Sequence, residues 1–294
     1  MEDHMTILSS NDLTECRAMS GFQRYAYRDA AFRIASTHLS AIRREIRRRR
    51  RELEGYIAGH PEFVTALEPV RLRPGAPETA RRMQAAAVRV GVGPMAAVAG
   101  TMAQLAVEAA RAAGAREAVV ENGGDIFLDA RAERIVALYA GDHPLSGKLA
   151  LRVEAQSMPI AICSSSSFMG HSTSFGRCDL ATVISKDAAL ADAAATLACN
   201  LVESVADVAG VLERIGALPG ICGVLIIKAD KVGLAGDLPE LIRQRDPGFP
   251  RKITRHPGSD AAPQRHVFVS DTDRSFRSVT GDAESFGPPK NPPS

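Results

Sequence analysis

"VENGGDIFLD", Val120–Asp129, is the stretch on which the fold turns. Asn122-Gly123-Gly124-Asp125 lies between two short apolar runs, Val119-Val120 and Ile126-Phe127-Leu128. Asn-Gly and Gly-Gly supply the positive φ values that a two-residue hairpin needs, so the flanking runs are expected to be antiparallel strands. Glycine also lets a ligand come close to the backbone, and here Asp125 stands beside it as an acid. Both explanations fit the stretch.

Working outward, the hairpin is preceded by "GVGPMAAVAGTMAQLAVEAARAAG", Gly91–Gly114. Pro94 suits a first helical turn, and the small residues after it permit close packing on a sheet or a ligand. A similar order returns later. The Ala-rich helix expected over Ser185–Val205 leads to "GVLIIKADKVGLAG", Gly223–Gly236, a second strand-turn-strand. This order predicts an α+β protein of two similar halves, each an antiparallel sheet backed by helices, rather than a parallel βαβ sheet.

Further upstream, "FQRYAYRDAAFRIAS" (Phe22–Ser36) is expected to form a first strand pair. Leu39, Ile42, Ile46, Leu53 and Ile57 then recur at helical spacing and end near Gly59 and Pro61. On the other faces of that helix lies "RREIRRRRRE", Arg43–Glu52, either a solvated face or a surface for an anion or a partner. "RLRPGAPETA" (Arg71–Ala80) is a linker before a short helix. Residues 1–21 lack periodicity and are expected to be a loose lead-in. From Asp246 the chain turns rich in Pro, Arg, Ser, Asp and Gly, and only "HVFV" (His266–Val269) is apolar. The expected division is therefore 1–21 loose, 22–245 folded, and 246–294 largely disordered.

Composition excludes several function classes. With 294 residues, 45% hydrophobic and 24% charged, the chain has a globular profile. A formal net charge of +2 is too mild to imply nucleic-acid binding. Five scattered cysteines with no CxxC argue against a disulfide scaffold or zinc site and for a reducing compartment. No apolar run approaches the ~20 residues of a membrane helix, and no signal pattern opens the chain. A cytoplasmic protein with no membrane or nucleic-acid partner is the expectation.

Four segments concentrate polar groups. One is Asn122–Asp125. "YAGDHPLSGK" (Tyr139–Lys148) offers Asp142, His143 and Lys148, with an exposed loop as the plain alternative. "CSSSSFMGHSTSFGRCD" (Cys163–Asp179) lies between the expected strands "MPIAI" and "LATVI". It can present hydroxyls and amides to phosphate oxygens, and His171 could bind or move a proton, unless the loop is a simple connector. No nucleophile-elbow pattern surrounds its serines. The fourth is Asp192 with Thr196, at i and i+4 on one helix face. A carboxylate and a hydroxyl so placed suit Mg²⁺, although a cap-like Asp and a helix-buried Thr are the commoner explanations of such a pair.

Taken together, "GVGPMAAVAG", "ENGGDIF", "YAGDHPLSGK", "SSSSFMGHSTSFG" and "ADAAAT" resemble the uncharacterised protein family 0280, a branch of the ApbE-like superfamily, over about residues 22–240. The resemblance implies a T-fold-related duplication. It also implies a flavin nucleotide, FAD, bound with Mg²⁺, and an FMN transferase or related phosphoanhydride-cleaving enzyme acting on an acceptor protein. By the same resemblance Asp192 and Thr196 become metal ligands, and Gly123, Gly124, Asp125, Ser165, Ser166 and His171 cofactor-binding residues. His171 and Asp192 become the catalytic pair. "STSFGRCD" stands where the superfamily has Asp-Pro-x-Thr-Gly, and a helix lysine near Gly100 is missing. A non-catalytic flavin- or nucleotide-binding accessory protein is the alternative, and a scaffold meeting partners through Arg43–Arg51 is a third possibility.

Overall fold

The computed structural model describes residues 21–141, 143–167, 177–243, 268–270 and 277–278. It is an α+β protein in three layers: helices, an eight-stranded antiparallel sheet, and a second sheet of five strands.

The first hairpin pairs β1 (Gln23–Tyr27) with β2 (Ala30–Ser36). Helices α1 (Leu39–Ala58), α2 (Glu62–Thr65), α3 (Glu78–Val90) and α4 (Val98–Ala112) follow. The chain then returns through β3 (Ala118–Asn122) and β4 (Asp125–Asp129). The expected hairpin is present: Asn122 faces Asp125 across a two-residue turn in which Gly123 and Gly124 have φ of 63° and 106°. Both angles lie where a side chain is strained, so glycine is favoured at both positions.

Strands β5 (Arg134–Leu138) and β6 (Leu149–Val153) form a second hairpin that leaves the large sheet. The chain rejoins that sheet as β7 (Ile160–Ser165) and β8 (Leu180–Ser185). Two helices, α5 (Ala188–Leu201) and α6 (Val208–Gly216), lead to β9 (Ile221–Lys228), β10 (Lys231–Gly236) and β11 (Glu240–Arg243). From the composition-shifted stretch, β12 (Phe268–Ser270) pairs with β5, and β13 (Arg277–Ser278) pairs with β11.

Strand pair, helices, strand pair thus occurs twice along the sheet order β1-β2-β3-β4-β7-β8-β9-β10. The two strand sets are not separate sheets. β4 pairs antiparallel with β7 and makes them one.

Strand alternation explains why three layers form. Val120 and Phe127 point into the core under the helices, while Val119, Ile126 and Leu128 point to the opposite face. There they meet Val136, Leu138, Leu149 and Leu151 of the second sheet. Both faces of β3 and β4 are therefore apolar, which the short runs beside Asn122–Asp125 already carry. Among the described residues no single helix is long and apolar enough to cross a membrane.

Candidate functional site

α5 lies across β7 and β8 and also touches β4 and α4. Its own amino end is capped by Asp187, whose carboxylate accepts from the amides of Ala189 and Leu190. Asp192, one turn further on, does not cap α5. Its Oδ2 accepts the Gly100 amide of α4 at 2.9 Å, in the first turn of that helix, where unpaired N–H groups and the helix dipole favour a carboxylate. The reading of Asp192 as a cap is thus corrected in its target. The exchange is mutual, because Gln104 of α4 accepts the Ala188 amide at 2.8 Å and so serves the first turn of α5.

Such an arrangement needs very close helices. A Cβ added to Gly100 would stand 2.3 Å from the Ala188 carbonyl oxygen and 3.0 Å from Asp192 Cβ. Any other residue would push α4 and α5 apart. At the same end of α4, Asn122 Nδ2 donates to the Ala99 carbonyl at 3.2 Å, which ties the β3–β4 turn to the helix start.

Asp125 begins β4, and one step beyond the pair Ile126–Ile162 its register partner is Cys163 of β7. Asp125, Cys163 and Ser165 alternate onto the helix side of the sheet. The Cys163 thiol is fully buried and donates to the Ala188 carbonyl at 3.6 Å. Burial pushes this thiol well above the ordinary range, and the charges of Asp125 and Asp192 push it further. Two buried carboxylates from elements nearly seventy residues apart, Asp125 3% and Asp192 8% exposed, therefore both act on the charge of one thiol.

Thr196 lies one turn from Asp192 on α5 and is buried. Ser165 and Ser166, at the end of β7, are buried too, and Ser165 Oγ has no hydrogen-bond partner among the described residues. His171 lies outside the described residues, as does Asp142. The Tyr139–Lys148 loop docks elsewhere, with His143 Nε2 2.5 Å from the Ala229 carbonyl in the β9–β10 turn.

The sequence reading missed Cys163 and Gly100. Cys163 directly precedes the serine run, and strand alternation through "IAICSS" already puts it on the face of Ser165. Gly100 is one small residue among many in α4, and only the tertiary packing sets it apart.

As a cation site the arrangement is partial. Among the described residues no three His, Cys, Asp or Glu side chains group as metal ligands. Mg²⁺ commonly takes one or two carboxylates and fills its shell with water and phosphate, so Asp192, Asp125 and Thr196 fit that ion rather than zinc.

The chain is similar in sequence to a family of known proteins. The family model described as AbpE bacteria matches residues 30–214. A UPF0280 protein of Methanocella arvoryzae is 45% identical over 198 residues, spanning 67% of this chain and 80% of that protein. One from Methanopyrus kandleri is 41% identical over 213 residues, spanning 70% and 86%. Among solved structures, the ApbE protein of Thermotoga maritima is similar with a TM-score of 0.48 and 12% identity, over 74% of this chain and 96% of that one. The flavinyl transferase ApbE of Pseudomonas stutzeri, apo form, gives a TM-score of 0.45 at 12% identity, over 74% and 95%. The chain belongs to the UPF0280 family, and the AbpE bacteria model matches it across residues 30–214.

Proposed function

We propose that this protein binds a flavin nucleotide, FAD, together with Mg²⁺ where β4, β7, α4 and α5 meet, and that it acts there on the phosphoanhydride as an FMN transferase or a related enzyme. The observation that carries this reading is the joint action of Asp125 and Asp192 on the Cys163 thiol. Two buried carboxylates acting on one thiol make a local excess of negative charge, which a divalent cation would relieve. The resemblance of "ADAAAT" and "ENGGDIF" to the ApbE-like superfamily supports the same assignment.

In this reading Asp192 and Thr196 hold the metal, with Asp125 facing it from the sheet. Mg²⁺, when bound, supplies charge neutralisation on the pyrophosphate. Gly123 and Gly124 admit the nucleotide close to the backbone, and Ser165 and Ser166 offer hydroxyls to phosphate oxygens. His171 positions or protonates the transferred group. The acceptor is a hydroxyl-bearing protein side chain.

A second reading, a flavin-nucleotide-binding accessory protein without catalysis, is favoured by "STSFGRCD" in place of the superfamily's Asp-Pro-x-Thr-Gly. Incubation with FAD, Mg²⁺ and candidate acceptors separates the two, since transfer releases AMP and binding alone does not.

The site itself is tested by thermal melts of wild type, Asp192→Asn and Thr196→Val, with and without Mg²⁺ and FAD. Ligand at about a hundred times its Kd stabilises the folded state by about 2.7 kcal/mol. Wild type should show such a gain only with both ligands present. Asp192→Asn should lose it, and Thr196→Val should lose part of it. Because Asp192 also serves the Gly100 amide, Asp192→Asn should cost about 1 kcal/mol without ligands as well. Equal ligand-induced stabilisation in all three proteins overturns the site.

A further inference from the structure

Arg44, Arg47, Arg48 and Arg51 fall at i, i+3, i+4 and i+7 of α1, which is one helix face, and all four are exposed. The acids of the same helix are engaged by other arginines as well. Glu45 meets Arg48 at 2.6 Å and Arg49 at 2.7 Å, Glu52 meets Arg48 at 3.0 Å, and Glu54 meets Arg28 at 3.2 Å. Arg44, Arg47 and Arg51 make no ion pair with a described residue, and Arg51 spends its Nε on the Arg47 carbonyl. Three guanidinium groups thus stand in a row with their charge uncompensated locally.

Beside this face, between α1 and α4, runs an open groove of about 450 Å³. Arg44 and Arg48 overhang it, while Leu105, Ala109, Ala112 and Ala113 of the α4 side supply an apolar floor. A merely solvated helix face has no need of an apolar trough along its edge. The combination selects among ligands. Duplex nucleic acid offers phosphates but nothing apolar, so the floor would go uncovered. An anionic membrane surface calls for protruding apolar side chains, whereas these are mostly alanines, too short to insert. An amphipathic helix matches both parts: alanines allow close approach of its apolar stripe, and carboxylates on its flank meet the arginines.

We propose that the α1–α4 groove is a docking surface for an acidic amphipathic helix of a partner protein. The surface is separate from the flavin-nucleotide proposal and stands without it.

The test uses a fluorescein-labelled 20-residue synthetic peptide, with leucines at i, i+3, i+4 and i+7 and glutamates along one flank. Its anisotropy is measured with the full-length protein at low and high salt. Competitors are duplex DNA and vesicles of phosphatidylserine and phosphatidylcholine. Wild type should bind the peptide in a salt-dependent manner, and more tightly than either competitor. The triple variant Arg44→Glu, Arg47→Glu, Arg51→Glu should bind at least tenfold more weakly. Ala112→Trp, which fills the floor at an exposed position and leaves every charge in place, should also weaken binding at least tenfold. Circular dichroism confirms that both variants are folded. Failure to bind the peptide, DNA or vesicles binding as tightly, or an unaffected Ala112→Trp would each overturn the proposal. The last outcome would reduce the surface to a charged patch.

Discussion

Gly100→Ala puts the contact between α4 and α5 under direct strain. The added Cβ would lie 2.3 Å from the Ala188 carbonyl oxygen, about 1 Å inside ordinary van der Waals contact, and 3.0 Å from Asp192 Cβ. The first obstacle is backbone in the opening turn of α5, so no side-chain rotation relieves it. The helices must separate, and overpacking of this kind costs about 1–3 kcal/mol. Separation also stretches the 2.9 Å bond from the Gly100 amide to Asp192, a charged hydrogen bond worth about 1.5–3 kcal/mol. Against this, replacing glycine by alanine inside a helix contributes about 1 kcal/mol. The net expectation is a loss of about 2–4 kcal/mol. Gly55→Ala is the control: Gly55 is exposed in α1 and its added Cβ meets nothing within 4 Å, so the same exchange should stabilise by about 0.5–1 kcal/mol. Urea unfolding followed by far-ultraviolet circular dichroism measures both. If Gly100→Ala proves as stable as wild type, the tight α4–α5 contact is not what holds Asp192 in place.

Two further outcomes follow from buried charge and buried thiols. The Cys163 thiol is pushed up by burial and by two carboxylates, and that of Cys178 by its hydrogen bond to Cys199 and by burial. An unfolded chain ionises both thiols near pH 8.5 while the folded chain keeps them protonated, so stability is complete below that pH. Above it, stability should fall by about 1.4 kcal/mol per pH unit for each thiol, a slope that Cys163→Ala and Cys178→Ala should each make shallower. A flat urea midpoint between pH 8 and 10 in reducing buffer would contradict this. Arg33 and Glu121 face each other directly across β2 and β3 at 3.1 Å, 5% and 0% exposed. Glu121→Ala should cost about 3–5 kcal/mol by stranding the guanidinium, and the double variant Arg33→Met, Glu121→Leu should recover most of it. A single-variant loss below about 1 kcal/mol would show that other partners carry the pair.

What could be read in advance was local. The apolar spacing from Leu39 to Ile57 gave α1, and Asn122–Asp125 gave its hairpin, because helical period and turn chemistry act over a few residues. The assembly was less visible. Nothing in "DIFLD" or "IAICSS" says that the two strands pair, because edge-to-edge pairing is selected by the whole sheet. The second sheet was missed for a related reason: "RIVAL" and "LALRV" are short apolar runs whose partners are supplied from afar. For the candidate site, Asp192 and Thr196 could be placed on one helix face from spacing alone. That Asp192 answers the amide of a different helix, 92 residues away in sequence, depends on packing that a one-dimensional pattern does not encode.

The β4–β7 pairing has a consequence for the nascent chain. Any half-sheet that forms from β1–β4 during synthesis ends in an open β4 edge until β7 follows, after the intervening residues 130–159. At about 5–20 residues per second that interval lasts about 1.5–6 s, with apolar Ile126-Phe127-Leu128 bared along the edge. Asp125 and Asp129 bracket the three residues and repel a second copy that tries to pair there. Before it faces any ligand, Asp125 would already have served as a gatekeeper against aggregation on the ribosome.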